Sequence, residues 1–272
     1  MNETFNFQRF WTYFKYDLKQ MWRNHSKAAI LIGGASAIFY ILWVMFSLVF
    51  TQHWSSPGIV ARLIVLLIAF TILELYQTRT YGYLTDKRAG SAWLMIPASK
   101  AEKYVSMLLM TLIVIPLLFF AVYFTLDGIL SLLDPTYGQA LFTGAVDAYK
   151  TLLAGLAAIS NESPLQVPTS YIVVMVLVSF FCNFLYFLLC GICFKKNKIV
   201  CAIAILFGLS TVLSLLTGLV VPQFITNLHV DMDDIQAARW LTGFWNGTLI
   251  FNCLLTIGLG WGVWRRIKTI QH

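Results

Sequence analysis

The chain has 272 residues, of which 59% are hydrophobic and 11% are charged, with a formal net charge of +7. Soluble domains carry about 25% charged residues, so these values exclude an ordinary water-soluble domain. The basic residues cluster beside apolar runs, which indicates membrane topology and leaves no basic face for nucleic acid. We therefore expect an all-α membrane protein with a single transmembrane domain over residues 1–272.

Residues 1–27 are predicted to form an amphipathic interfacial helix. Apolar, mostly aromatic residues recur there at helical spacing: Phe7, Trp11, Phe14, Leu18 and Met21. Basic residues lie mainly on the other side, as in a helix that rests in the headgroup plane of a membrane. The segment lacks the short apolar core and small-residue cleavage site of a signal peptide, so none is expected.

Six later stretches approach or exceed the 20 or so apolar residues that a transmembrane helix needs. They are Ala28–Phe50, Ile59–Tyr76, Tyr104–Leu126, Tyr171–Phe194, Ile199–Val221 and Trp240–Trp264. The second is short and contains Arg62, which lies close enough to one end to extend its guanidinium out to the interface. It also contains Glu74, the only acid within a predicted span.

The loops alternate in charge. Basic residues cluster before span one, between spans two and three, between spans four and five, and after span six. The other loops hold mostly acids: Asp127, Asp134, Asp147 and Glu162 in one, and Asp231, Asp233 and Asp234 in another. The positive-inside rule then predicts a multi-pass protein of the bacterial inner membrane with both termini in the cytoplasm. Glu74 would mark a cytoplasmic entrance at the end of span two.

The loop Gln77–Lys103 is predicted to be cytoplasmic and to contain a short helix. Its apolar run Ala92–Ile96 ends at Pro97. Ser99 and Glu102 then match the S-x-x-E capping box that starts a helix. A short amphipathic helix facing the cytosol has the shape of a docking element. A segment that binds only lipid is the alternative.

The outer loop Asp127–Ser170 shows a helical apolar stripe that predicts a small helical cap. Its members are Phe142, Val146, Tyr149, Leu153 and Leu156. We expect this cap either to pack on the bundle or to dip into the outer leaflet.

No motif of a catalytic, metal or nucleotide site occurs in the sequence. The chain has no phosphate-binding loop, no H-E-x-x-H and no G-x-S-x-G. Cys190 and Cys193 have C-x-x-C spacing but neither a second pair nor a nearby histidine. We therefore expect no enzyme activity, no catalytic or metal-binding residue and no cofactor in this chain.

Two sets of small or hydroxyl side chains are candidates for a transport path or a dimer interface. Gly33 and Ala37 share a face of span one, and Ser210, Ser214 and Thr217 share a face of span five. Small residues let helices approach closely, and hydroxyls can hydrogen-bond across an interface or line a polar path. Ordinary packing within the chain is the alternative.

The layout resembles the permease subunits of type-2 ATP-binding-cassette exporters. The local match is Gly90–Tyr104, which contains I-P-A-S-K-A-E where the family often shows L-P-x-S-x-x-E before span three. The long loop after span three departs from the family, whose members often have a short loop at that position.

This resemblance implies a coupling helix that docks on a separate ATPase subunit, carried here by Asp86, Lys87, Arg88 and Trp93. It also implies that residues 1–27 form the family's connecting helix, that two permease copies pair as a homodimer, and that spans one, two and five surround the path. ATP and Mg²⁺ would be bound by the ATPase. The expected function is export of an unidentified substrate. A non-transporting scaffold or sensor that binds a partner through the outer loop is the alternative.

Overall fold

The computed structural model describes residues 5–162, 169–228 and 234–270. In these ranges the α-helices are α1 (Phe7–Gly33), α2 (Ala35–Phe50), α3 (Ile59–Thr80), α4 (Lys87–Met95), α5 (Lys100–Leu109), α6 (Ile115–Leu133), α7 (Leu141–Glu162), α8 (Thr169–Cys193), α9 (Lys198–Leu228) and α10 (Asp234–Thr269). Short 3₁₀ turns cover Gly82–Thr85 and Pro135–Tyr137. The described ranges contain no strand, so the expected all-α fold is confirmed over them.

Four segments of the described chain are long and apolar enough to cross a membrane. They are Ile59–Thr85, Lys100–Leu133, Val173–Cys193 and Trp245–Thr269. The bent pair α1 and α2 supplies a fifth if it is counted as one span. The chain is therefore a multi-pass membrane protein. The described part of α9 contributes a shorter apolar helix, Lys198–Val212, so the count of six spans stays a prediction.

The N-terminal helix continues past residue 27, where its boundary with span one was predicted. It ends at Gly33, and α2 begins at Ala35 after a bend of 45°. A Cβ added at Gly34 would lie only 2.8 Å from the carbonyl oxygen of Ile30. The bend therefore requires glycine, because any side chain would collide with the preceding turn.

Helices α5 and α6 form one continuous rod from Lys100 to Leu133, longer than the predicted span three. A π-helical turn, Met110–Val114, joins them just before Pro116. Proline has no N–H to donate and crowds the carbonyl four residues earlier, so a wider turn accommodates it. The rod includes Asp127, which was predicted to begin the outer loop.

Helix α8 packs against both α3 and α10 at the centre of the bundle. The Phe70 ring of α3 lies 5.6–5.8 Å from the rings of Phe120, Phe180 and Phe184, which joins α3, α6 and α8 through aromatic contacts. A Cβ at Gly191 would lie 2.5 Å from the carbonyl oxygen of Thr78. Glycine at this position therefore permits the close approach of α8 and α3.

Candidate functional site

Helix α4 occupies the loop predicted to dock on a partner, and its carboxyl end is fixed to α5. Lys103 Nζ donates hydrogen bonds to the carbonyl oxygens of Trp93 at 2.8 Å and Leu94 at 3.4 Å. The same ammonium lies 4.6 Å from the centroid of the Trp93 ring. The last carbonyls of a helix lack intrahelical hydrogen-bond donors and carry partial negative charge. The buried Lys103 ammonium supplies both a donor and a positive charge at this end of α4.

The Trp93 indole anchors α4 to α1. Its side chain is only 3% exposed, and its Nε1 donates a hydrogen bond of 3.0 Å to Tyr13 Oη. Trp93 and Arg88 are five residues apart, which separates them by roughly 140° around a helix with 3.6 residues per turn. The Trp93 indole therefore packs inside the protein, on a different side of α4 from Arg88, and its expected role in docking stays a prediction.

The exposed face of α4 consists of Arg88, Ala92 and Met95, whose spacing places them on one side of the helix. Met95 is 81% exposed, which makes it the apolar side chain of α4 most available to a partner. Asp86 precedes the helix and is exposed as well. The side chain of Lys87 lies outside the described part of the structure.

Glu102 connects the start of α5 to the start of α1. The predicted capping box is confirmed: Ser99 N donates to Glu102 Oε2 at 2.9 Å, and Glu102 N donates to Ser99 Oγ at 3.2 Å. The Glu102 side chain is fully buried and also accepts from Arg9 Nη2 at 2.6 Å and from Asn6 N at 2.9 Å. The Glu102 carboxylate therefore accepts backbone hydrogen bonds at the start of both α1 and α5.

Asp17 provides a further link between α1 and the predicted docking loop. It is buried and accepts hydrogen bonds of 2.8 Å from both Tyr81 Oη and Ser106 Oγ. Arg9, Tyr13 and Asp17 recur every four residues, so they form one line along α1, which we call the α1 polar stripe. The amphipathic pattern identified the helix, but it did not identify this stripe, because its partners lie far along the chain.

Lys198, at the start of α9, holds the turn before α4 from the other side. Its Nζ donates to the carbonyl oxygen of Gly82 and, at 2.7 Å, to Thr85 Oγ1. Burial lowers the pKa of Lys198, and the nearby Asp86 carboxylate acts in the opposite direction. Helix α4 is thus fixed directly to α1 and α5, and the turn before it is fixed to α9.

A separate polar cluster lies at the opposite end of α3. Arg62 is 3% exposed, so it is buried inside the protein and does not extend to the interface as expected. Its Nη1 donates to Asp127 Oδ1 at 3.3 Å and its Nη2 to the Gln139 carbonyl at 2.9 Å. Asp127 also accepts from Tyr137 Oη at 2.8 Å and from Leu141 N at 2.6 Å. The expectation was wrong because the partner carboxylate, remote in sequence, lies beside Arg62 in the fold.

Asp134 ties α2 to the loop between α6 and α7. Its carboxylate accepts from Tyr40 Oη at 2.9 Å, from Trp54 Nε1 at 3.3 Å and from Thr136 N at 2.9 Å. Burial acts to raise the pKa of Asp134, but these hydrogen bonds to the ionised carboxylate outweigh it and hold the pKa below its usual range. Helix α7, the predicted outer cap, begins seven residues later at Leu141.

The small and hydroxyl residues that are candidates for a transport path or a dimer interface lie in different environments. Gly33 is buried against Val122 of α6, since a Cβ there would lie 3.0 Å from Val122 Cγ1. Ala37 is half-buried. Ser210 and Ser214 are exposed on α9, where Ser210 Oγ donates to the Phe207 carbonyl at 2.9 Å. The side chain of Thr217 lies outside the described part.

Glu74 faces a groove between α3, α6, α8 and α10. The groove has a volume of about 570 Å³, and its walls include Leu67, Phe70, Phe120, Val176, Phe180 and Trp245. Asn183 Nδ2 donates to Glu74 Oε1 at 3.4 Å. Because α3 continues six residues beyond Glu74 to Thr80, the carboxylate lies roughly 9 Å inside the helix end. Glu74 therefore faces the groove on the side of the bundle and does not lie at the end of the span.

Over the described ranges, these features define a helical, multi-pass membrane protein with a short helix held by buried contacts at one end and a side groove lined by the Glu74 carboxylate. No family model, curated protein or solved structure matches the chain. Within the described residues, no group of three or more His, Cys, Asp and Glu side chains could hold a metal ion.

Proposed function

We propose that this chain is the transmembrane permease subunit of a type-2 ATP-binding-cassette exporter, powered by a separate ATPase subunit. In this proposal α9 completes a set of six spans, and both termini lie in the cytoplasm beneath a bacterial inner membrane. Two copies pair, and the ATPase binds ATP and Mg²⁺. The observation that carries the proposal is α4, a short helix fixed to the bundle by buried contacts that still presents an exposed face.

A helix that transmits movement from a partner to transmembrane helices must be rigidly joined to them. Trp93 joins α4 to α1 through Tyr13, and Lys103 joins it to α5. Lys198 joins the preceding turn to α9. Breaking such a contact leaves a buried polar group unsatisfied, at a cost of about 1–3 kcal/mol each. A displacement of α4 would therefore move α1 and α5 directly, and α9 through the turn that precedes α4.

The same helix has the residues that a docking face requires. Protein interfaces derive most of their affinity from a few buried anchors, with charged groups at the rim contributing less. On α4 the apolar anchor is Met95, and Arg88 and Asp86 are the rim charges. In this proposal Met95 takes the place that the resemblance implied for Trp93.

The test is co-purification of an ATPase with the full chain, extracted from its native membrane in mild detergent. We expect a phosphate-loop ATPase in stoichiometric amount. The double variant Arg88→Glu/Met95→Asp should lose most of that ATPase and most of the associated ATP hydrolysis. Its matched control is Lys196→Glu, a charge reversal at an exposed position in the turn between α8 and α9.

Equal ATPase recovery with the double variant and the control would contradict docking through α4. Absence of any ATPase from the unmodified chain would favour the alternative, a scaffold or sensor. A scaffold would depend on its outer helix, so truncating α7 would then remove the partner while changes on α4 would not.

A further inference from the structure

We propose that the groove beside Glu74 is a binding site for a lipophilic cation, an apolar molecule with one positive charge. The groove volume of about 570 Å³ lies within the range of roughly 300–1,000 Å³ found for small-molecule sites. Its walls are formed by four helices, and the described residues that line it include no lysine, arginine or histidine. The ligand must therefore supply its own positive charge.

The groove contains a buried carboxylate. Glu74 is 8% exposed and lines the groove with Asn183, whose amide donates a single, long hydrogen bond of 3.4 Å. No ion pair of Glu74 occurs in the part of the chain that the structure describes. A buried carboxylate without a counter-charge is costly, and ionisable groups within membrane spans commonly serve function. A cation that enters the groove would supply the missing charge.

The rest of the groove wall is aromatic and apolar. Phe70, Phe120, Phe180 and Trp245 bring aromatic rings to the groove from α3, α6, α8 and α10. The faces of aromatic rings attract cations, most strongly where water is excluded. Leu67 and Val176 are well exposed at the groove, so its rim is apolar. This combination selects against hydrophilic cations, which would lose their hydration, and against apolar anions, which Glu74 repels.

As a substrate site, the groove rests on the proposed export function, whereas binding itself requires neither transport nor an ATPase. The probes are tetraphenylphosphonium and tetraphenylborate, which have nearly the same shape and opposite charge. Binding of each is measured by equilibrium dialysis on the full chain, purified in a neutral detergent. We expect tetraphenylphosphonium to bind at least tenfold more tightly than tetraphenylborate.

Three variants locate the site. Glu74→Gln keeps the shape and removes the charge, so it should weaken tetraphenylphosphonium binding at least tenfold without weakening tetraphenylborate. Glu74→Asp keeps the charge and should retain the preference for the cation. Ser179→Trp fills the groove and should weaken both probes. Gel-filtration profiles matching the unmodified chain show that a variant is folded.

Equal binding of the two ions by the unmodified chain would overturn the proposal without any variant. So would a folded Glu74→Gln protein that keeps its cation preference, because the charge would then come from elsewhere. If Ser179→Trp leaves both probes unaffected, the groove is not the site. A second copy covering the groove would exclude both probes and would likewise overturn the proposal. None of these results depends on whether an ATPase co-purifies with the chain.

Discussion

The two ends of the bundle are held together by different kinds of polar contact. At the α4 end, the α1 polar stripe, Lys103 and Lys198 distribute hydrogen bonds over several helices, and one face of α4 stays exposed. At the α7 end, the contacts centre on one ion pair, Arg62 and Asp127, which is buried on both partners and which Tyr137 and Leu141 support with hydrogen bonds to Asp127. The first arrangement holds a short helix and leaves one of its faces exposed, whereas the second buries its charges between helices.

A distributed set of contacts tolerates the loss of one member, but a single buried ion pair does not. Removing one partner of such a pair leaves an uncompensated charge in a low-dielectric environment, while replacing both can be nearly neutral. Substitutions at the α7 end should therefore lower the stability of the whole chain, whereas those at the α4 end should have smaller effects that are confined to α4.

The largest effect is expected for Arg62→Met, which leaves Asp127 buried without its cation. We expect a loss of about 3–5 kcal/mol of stability, which is typical of a broken buried ion pair. Unfolding of the purified chain by denaturant in detergent, followed by tryptophan fluorescence, measures it. The double variant Arg62→Met/Asp127→Asn is the control, because it removes both charges and keeps an oxygen that can accept from Leu141 N; it should recover part of the loss. If the double variant is no more stable than Arg62→Met, the pair is not an isolated electrostatic unit.

An intermediate and local effect is expected for Lys103→Met at the α4 end. This change leaves the carbonyls of Trp93 and Leu94 without their donor, at about 1–3 kcal/mol. Since 1.4 kcal/mol is a factor of about ten in an equilibrium constant, amide exchange in α4 should accelerate roughly 5- to 150-fold. Hydrogen exchange read by mass spectrometry over residues 87–95 measures this change.

The matched control is Lys100→Met, because Lys100 is exposed and donates to the Lys268 carbonyl, away from α4. It should leave exchange in α4 unchanged. Equal acceleration in the two variants, or acceleration spread over the whole chain, would show that α4 is not held locally by Lys103.

The smallest effect is expected for Asp134→Asn, and it depends on pH. Because the pKa of Asp134 is lowered in the folded chain, the ionised carboxylate contributes stability above its ordinary pKa and loses it as the pH falls through the folded value. The midpoint of thermal unfolding should therefore fall less on acidification in Asp134→Asn than in the unmodified chain. Asp147→Asn, at an exposed position of α7, should leave the acid dependence as it was. Parallel pH profiles for Asp134→Asn and the unmodified chain would show that Asp134 does not contribute to the acid dependence of stability.

The local features of the chain were predictable from the sequence because local spacing determines them. The Ser99–Glu102 capping box was found as expected, and Pro97 follows the end of α4. The outer helix was predicted within Asp127–Ser170 from its apolar period, and α7 lies there as Leu141–Glu162. Capping residues, proline and helical period act within a few residues along the chain, so each can be recognised from a short segment.

By itself, then, the sequence determined that this is a helical membrane protein with a short helix between α3 and α5, since apolar length and local capping suffice for both. Only the tertiary structure decided which way the decisive side chains point. Arg62 turned inward, Trp93 packed on α1 and Glu74 came to line a groove, each because of a partner at least 65 residues away. Burial of a charge or an indole depends on what lies opposite in space, and one-dimensional spacing does not contain that information.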